Sequence, residues 1–223
     1  LNTIIALYSR RYFSYLEDKS IIATEDKVEV LQDMKQMSIG SIAGFIYSST
    51  DNLIISAFLG VQNVGLLMNY KLIPAILIDI TGNVFKPVQA AIGNLVNEKD
   101  STLVQLDTYH IYTFIRFVIA NYFFIAIVLL TNPFIGIWFG EQYVLNNVTT
   151  LLIALDMYLY LMQGPANEFI ISKGLFKHEK LILIIGALTN LTLSLILVRY
   201  LGLNGVLYGT VISQLFYFIG RHR

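Results

Sequence analysis

Residues 181–198, LILIIGALTNLTLSLILV, are apolar around the whole circumference of a helix, and no other property of the chain limits its fold as much. A strand of a closed barrel alternates residue by residue; this run does not, so it reads as a helix surrounded by protein or lipid. Runs of the same kind follow one another. Spans able to cross about 30 Å of hydrocarbon with about 20 helical residues are placed at 38–59, 65–92, 109–131, 144–172, 179–199 and 203–220. With 56% hydrophobic and only 13% charged residues, the chain has too little polar surface to clothe six such helices in water. The expected fold is all-α, a polytopic transmembrane bundle of six spans.

Charge in the loops gives an independent reading, because Lys and Arg gather on the cytoplasmic side of a membrane protein. Arg10, Arg11, Lys19, Lys27, Lys35, Lys99, Lys173, Lys177, Lys180, Arg221 and Arg223 fall on one side of the six spans, and Arg199 alone on the other. Both the amino-terminal segment and the final residues are therefore expected in the cytoplasm, with 1–37 as a connecting segment, 38–220 as the membrane lobe and 221–223 as a cytoplasmic end. Residues 1–7 read as the end of an earlier helix. Residues 24–37, TEDKVEVLQDMKQM, open on Thr24 with acidic residues and space Val28, Leu31 and Met34 helically, which predicts a short amphipathic helix before the first span. Its alternative is a solvated linker helix. The chain opens on Leu1 without a signal pattern, which reads as a piece of something longer.

Several function classes drop out. Fifteen basic residues balance fifteen acidic ones, with no basic strip to hold nucleic acid. There is no cysteine, hence no thiolate metal site and no cysteine nucleophile. His110 and His178 stand at span edges without a second ligand at metal spacing, so neither a metal nor a cofactor is expected. No nucleophile elbow or phosphate loop occurs, and the loops between spans are short for an enzyme.

Two features mark the interior instead. Pro74 and Pro87 interrupt the second span and Gly164-Pro165 the fourth, predicting kinks or partial unwinding of the kind that borders polar cavities. Asp51, Lys71, Asp79, Lys86, Arg116, Asp156 and Glu168 all lie within spans. Each costs about 2.5–3.5 kcal/mol at mid-bilayer, so such charges face a bundle interior or water, or snorkel from a span edge as Lys71 and Arg116 could. Lys71, Asp79 and Lys86 share a broad face of the second span, with Asn83 between and Asn69 toward one end. Asp51, flanked by Ser48, Ser49, Thr50 and Asn52, reads either as lining an aqueous cavity or as a structural interhelical hydrogen bond. The pairs Gly40/Gly44, Gly136/Gly140 and Gly205/Gly209 allow close helix packing, within the bundle or at a dimer face.

STDNLIISAFLGVQNVGLLMNY (49–70), AAIGNLVNEKD (90–100), NPFIGIWFGEQY (132–143), GPANEFIISKGLF (164–176) and LGLNGVLYGTVIS (201–213) resemble, in order and spacing, the carboxy-terminal half of Wzx-type bacterial polysaccharide exporters in the multidrug/oligosaccharidyl-lipid/polysaccharide superfamily. The resemblance implies one lobe of a two-lobe exporter, with an amino-terminal lobe as its partner. It implies a flippase moving polyprenyl-pyrophosphate-linked oligosaccharide across the bacterial cytoplasmic membrane for polysaccharide biosynthesis. A basic residue near Gln163 is expected on the same ground and is absent from that stretch. In this frame Lys71, Lys86 and Arg116, with Asp51, Asn52, Asn69, Asp79 and Asn83, are candidates for the substrate cavity, and Asp51, Asp79, Asp156 and Glu168 for a coupling ion. An ion-coupled multidrug exporter and a membrane-embedded glycan polymerase or lipid-linked glycosyltransferase are the competing readings.

Overall fold

A computed structural model describes residues 24–97 and 102–222. These form six α-helices and one 3-10 turn, with no strand among the described residues. The helices are α1 (Thr24–Leu59), α2 (Val61–Asn97), α3 (Thr102–Trp138), α4 (Asn147–Ser172), α5 (Phe176–Leu201) and α6 (Leu203–Arg221). Each expected span falls in its own helix, apart from the first residues of the fourth, which precede Asn147. Among the described residues, four stretches are long and apolar enough to cross a membrane: Val61–Val96, Thr102–Trp138, Glu179–Leu201 and Leu203–Arg221. That is consistent with a multi-pass membrane protein. The expected helix end at 1–7, and Arg10, Arg11, Lys19, Lys99 and Arg223, lie outside the described residues.

Two expectations about continuity are corrected. Residues 24–37 do not form a separate helix; they run without interruption into the first span as the 36-residue α1. The helices also continue through Pro74, Pro87 and Pro165, so the predicted unwinding is absent. A proline removes one donor, and the intact turns on either side hold the helix together when only single bonds are lost.

Chain reversals are abrupt. α1 and α2 are joined by Gly60 alone and α5 and α6 by Gly202 alone, with φ of 88° and 57°. That left-handed region is open to glycine at no steric cost, and it lets a helix stop and restart within one residue. The pairs Asn190–Thr210, Ser194–Val206 and Glu179–Arg221 are all centred near position 200, the register of an antiparallel hairpin. α4 starts at an Asn146 cap whose side chain accepts from Val148 N–H at 2.9 Å. The turn before it is tied down by Tyr70, whose hydroxyl donates to Asn132 and accepts from Leu145 N–H. Trp138, Tyr143 and Tyr200 stand exposed at this end, where amphipathic rings suit a membrane interface.

α4 is the buried centre, packed on α2, α3 and α6, while α5 joins α6 to α1. One core gathers Ile55, Leu67, Leu152, Ile153, Val206 and Leu207 at the Gly60 end, a second joins α3 to α4 through Ala120, Ala154 and Met157, and a third holds Phe85, Ile92, Tyr112 and Phe169. Of the paired glycines, Gly205 and Gly209 act within the chain: a Cβ at either would overlap α5, at the Leu197 carbonyl and at Ser194. They are a packing seam of the bundle. Gly44 has open space instead.

Candidate functional site

The first site is built around Asp51, which is 4% exposed. Three of its partners come from other helices. Thr210 on α6 donates to Oδ2 at 2.8 Å, Asn190 on α5 donates to Oδ1 at 3.4 Å, and Lys71 on α2 places Nζ 3.4 Å from Oδ2. Asn190 Nδ2 also lies 3.2 Å from Thr210 Oγ1. Beside this knot a cavity of about 320 Å³ is lined by Asp51, Asn52, Lys71, Asp156, Thr210 and Gln214 among others. Asp51 thus lines a cavity and also ties helices together. The cavity wall carries two carboxylates against one ammonium. Asn52 Oδ1 is buried there without a hydrogen-bond partner, as is Asn190 Oδ1 behind Asp51. Oxygen lone pairs in excess of donors suit a small cation.

The second site is built around Arg116 on α3. This side chain does not snorkel: the residue is 5% exposed, its Nη2 bonds Glu168 Oε1 at 3.0 Å, and its Nε donates to the Tyr112 hydroxyl at 3.0 Å. The guanidinium also covers the Phe85 ring, 4.4 Å from its centroid. Gly164 makes room for it, because a Cβ there would come within 2.8 Å of Nη2. That close approach, and not a helix break, is what the glycine of the Gly164-Pro165 pair provides. A cavity of about 270 Å³ lies alongside, with Arg116, Arg221, Glu168, Gln163, Asn167 and Tyr160 in its wall. Ile78 and Tyr160 line both this cavity and the Asp51 cavity, so the two are neighbours along the α2–α4 groove.

A cation does stand at Gln163, although the sequence offers none nearby. Arg221 of α6 reaches back across the bundle and donates through Nη1 to Gln163 Oε1. The same guanidinium pairs with Glu179 through both carboxylate oxygens, Glu179 being 8% exposed. Gln163 donates to Gln214 at 2.7 Å, and Gln214 donates to Asp156 at 3.1 Å. A polar seam thus follows one face of α6 through Thr210, Gln214 and Arg221, joining the two cavities inside an apolar bundle.

The broad polar face expected on α2 divides. Lys71 turns inward to Asp51, whereas Asp79 and Lys86 are exposed, Lys86 donating to Asn83 one turn away at 2.7 Å. The offset of about 80° between Lys71 and Asp79 is enough to place them on different sides of the helix. Asn69 is half-buried and lies outside both cavity walls. Asp51, Asn52, Lys71 and Asp156 are brought together, as are Arg116 and Glu168; Asp79, Asn83 and Lys86 join neither group. The residues that sequence reasoning missed are Asn190, Thr210, Gln214, Glu179 and Arg221. Their one signal was polarity in or beside otherwise apolar runs, as in Asn190 within the stretch 181–198.

Comparison with protein-family models, with curated proteins and with solved structures finds no match to this chain.

Proposed function

We propose that the chain is a six-span lobe of a two-lobe flippase that moves lipid-linked oligosaccharide, carried on polyprenyl pyrophosphate, across a bacterial cytoplasmic membrane. The observation that carries this reading is the pair of adjoining polar cavities inside an apolar bundle, one bearing Arg116 and Arg221 and the other Asp51, Lys71 and Asp156. An anionic head group that must pass hydrocarbon needs fixed cations in a wet space, and two guanidiniums offer forked donors matched to phosphate oxygens. A coupling cation needs carboxylates and neutral oxygens, and of the four acidic candidates Asp51 has the fullest set around it. Binding there stabilises the arrangement of α1, α5 and α6 that brings those oxygens together, which is the differential affinity that a coupled transporter requires. In this reading no covalent step takes place. Asp79, Asn83 and Lys86, exposed on an apolar helix, face water or a second lobe, because lipid contact would cost several kcal/mol.

The test is complementation. Full-length protein carrying Asp51→Asn, Lys71→Ala or Arg116→Ala is expressed in cells that depend on it for surface glycan, with membrane protein level measured in parallel. Loss of glycan export at normal protein level is expected; wild-type export from all three variants would remove the proposal. The second reading, an ion-coupled exporter of cationic drugs, is favoured by the surplus of carboxylates in the Asp51 cavity. It predicts drug resistance that depends on Asp51 and Asp156 and not on Arg116.

A further inference from the structure

Gln163 and Gln214 stand between the two cavities, and the direction of hydrogen bonding through them is set at both ends. A guanidinium can only donate, so Gln163 turns Oε1 toward Arg221. Its Nε2 is left to donate to Gln214 Oε1 at 2.7 Å, with the Gln214 backbone carbonyl 3.4 Å away. Gln214 then turns its own Nε2 to Asp156 Oδ1 at 3.1 Å, where a carboxylate can only accept. Reversing either amide sets donor against donor or oxygen against oxygen. Both glutamines are buried, at 2% and 5% exposure, where an unmatched amide is costly.

We infer that Gln163 and Gln214 form a polarised relay through which the hydrogen-bonding state of Asp156, in the Asp51 cavity, positions the Arg221 guanidinium in the Arg116 cavity. A cation that takes the Asp156 carboxylate withdraws the acceptor that orients Gln214. Gln163 is then left with only the 3.4 Å contact to the Gln214 backbone carbonyl to orient it, and Glu179 becomes the firmer hold on Arg221. Glu179 and Arg221 both line a third cavity of about 250 Å³, so Arg221 leans that way, out of the anion-binding space. Gln163 and Gln214 act as positioning residues. The relay rests only on these contacts and holds whatever the cargo is, so its failure and that of the flippase reading are separate results.

The chain contains no cysteine, so Asn167→Cys introduces a single thiol. Asn167 lines both the second and third cavities beside Arg221 and stands eleven residues along α4 from Asp156, about 16 Å away. The readout is the rate of N-ethylmaleimide modification of that thiol in the full chain reconstituted in nanodiscs. Asp156→Leu, which removes the acceptor, is expected to change the rate roughly three- to tenfold, the effect of losing the neutral Gln163–Gln214 hydrogen bond that orients the partner of Arg221. Asp156→Asn keeps an oxygen for Gln214 and leaves the rate within about twofold. Gln214→Glu sets two carboxylates face to face and shifts the rate as Asp156→Leu does. Adding Asp156→Asn to Gln214→Glu restores the alternation of donor and acceptor and returns the rate to the parent value. The inference is overturned if Asp156→Leu has no effect, if Asp156→Asn shifts the rate as far as Asp156→Leu, or if the paired substitution gives the product of its two single effects. Should Asp156→Leu not accumulate as folded protein, the Gln214→Glu pair decides alone.

Discussion

Substituting Glu168 by Leu leaves the Arg116 guanidinium buried with no counter-charge. Breaking a buried ion pair from one side costs about 3–5 kcal/mol, because the remaining charge keeps its desolvation penalty and loses its compensation. Two features reduce that figure here. The Tyr112 hydroxyl still accepts from Nε, and the Phe85 ring 4.4 Å away contributes roughly 0.5–2 kcal/mol to a desolvated cation. The cavity beside Arg116 also admits water. A net loss of about 2–4 kcal/mol is expected, which at roughly 2–4 °C per kcal/mol for a chain of this length lowers the melting temperature by about 4–16 °C. Removing both charges, as Arg116→Met with Glu168→Leu, deletes the penalty along with the attraction and should melt within a few degrees of the parent. Thermal unfolding of purified protein in one detergent compares all four proteins. If the double variant loses as much as the two single variants added together, the charges do not compensate one another and the reasoning fails.

The remaining expectations concern packing and exposure. Gly205→Ala forces a Cβ into the Leu197 backbone carbonyl, which cannot move aside as a side chain would; a loss of about 1–3 kcal/mol is expected, read as a lower melting temperature, with Gly44→Ala as the near-neutral comparison. Gly164→Ala displaces the Arg116 guanidinium from its place over Phe85 and should reproduce much of the Glu168→Leu loss, while Gly93→Ala, with open space at its Cβ, should not. Thr210→Val removes the 2.8 Å donor to Asp51 without changing shape and should cost about 1.5–3 kcal/mol by the same measurement, as a hydrogen bond to a charged group does. Because exposed charges on a spanning helix require water, Asp79→Cys in intact membranes should react with a charged maleimide faster than Val84→Cys, an exposed apolar position about 140° round α2 from Asp79; equal rates would remove the argument that this face is wet.

The helices were legible because hydrophobic length is a local property: 181–198 is apolar over most of its length, and its boundaries follow from Gly202 and the charges near Glu179. Asp51 was legible as an interior residue for the converse reason, a carboxylate that lipid would not tolerate. Its partners were not. Asn190 and Thr210 sit 139 and 159 residues away in sequence, and nothing local says that α5 and α6 close around α1. Arg221 illustrates the same limit. By position it belongs to the loop charges beyond the sixth span, yet its long side chain turns back to supply the cation that the stretch around Gln163 lacks. Helical phase foretold that Asp79 and Lys86 share a side but overstated their kinship with Lys71, since an 80° step is divided by the edge of a neighbouring helix. Pro165 and Gly164 were flagged together as a break, whereas the glycine provides a berth for a guanidinium and the proline is absorbed in the helix.

Thr210, Gln214, Tyr217 and Arg221 follow one another at helical intervals of four, three and four, so the last helix meets its neighbours like the cut edge of a key. Deleting Gly209 would swing every later tooth by about 100° and uncouple Asp51, Asp156, Gln163 and Glu179 in one stroke. A slide of one whole turn would instead carry an amide into the place of the hydroxyl opposite Asp51, keeping a donor there. The one-residue joint at Gly202 leaves α6 no slack for such a slide, so the key is held in a single register.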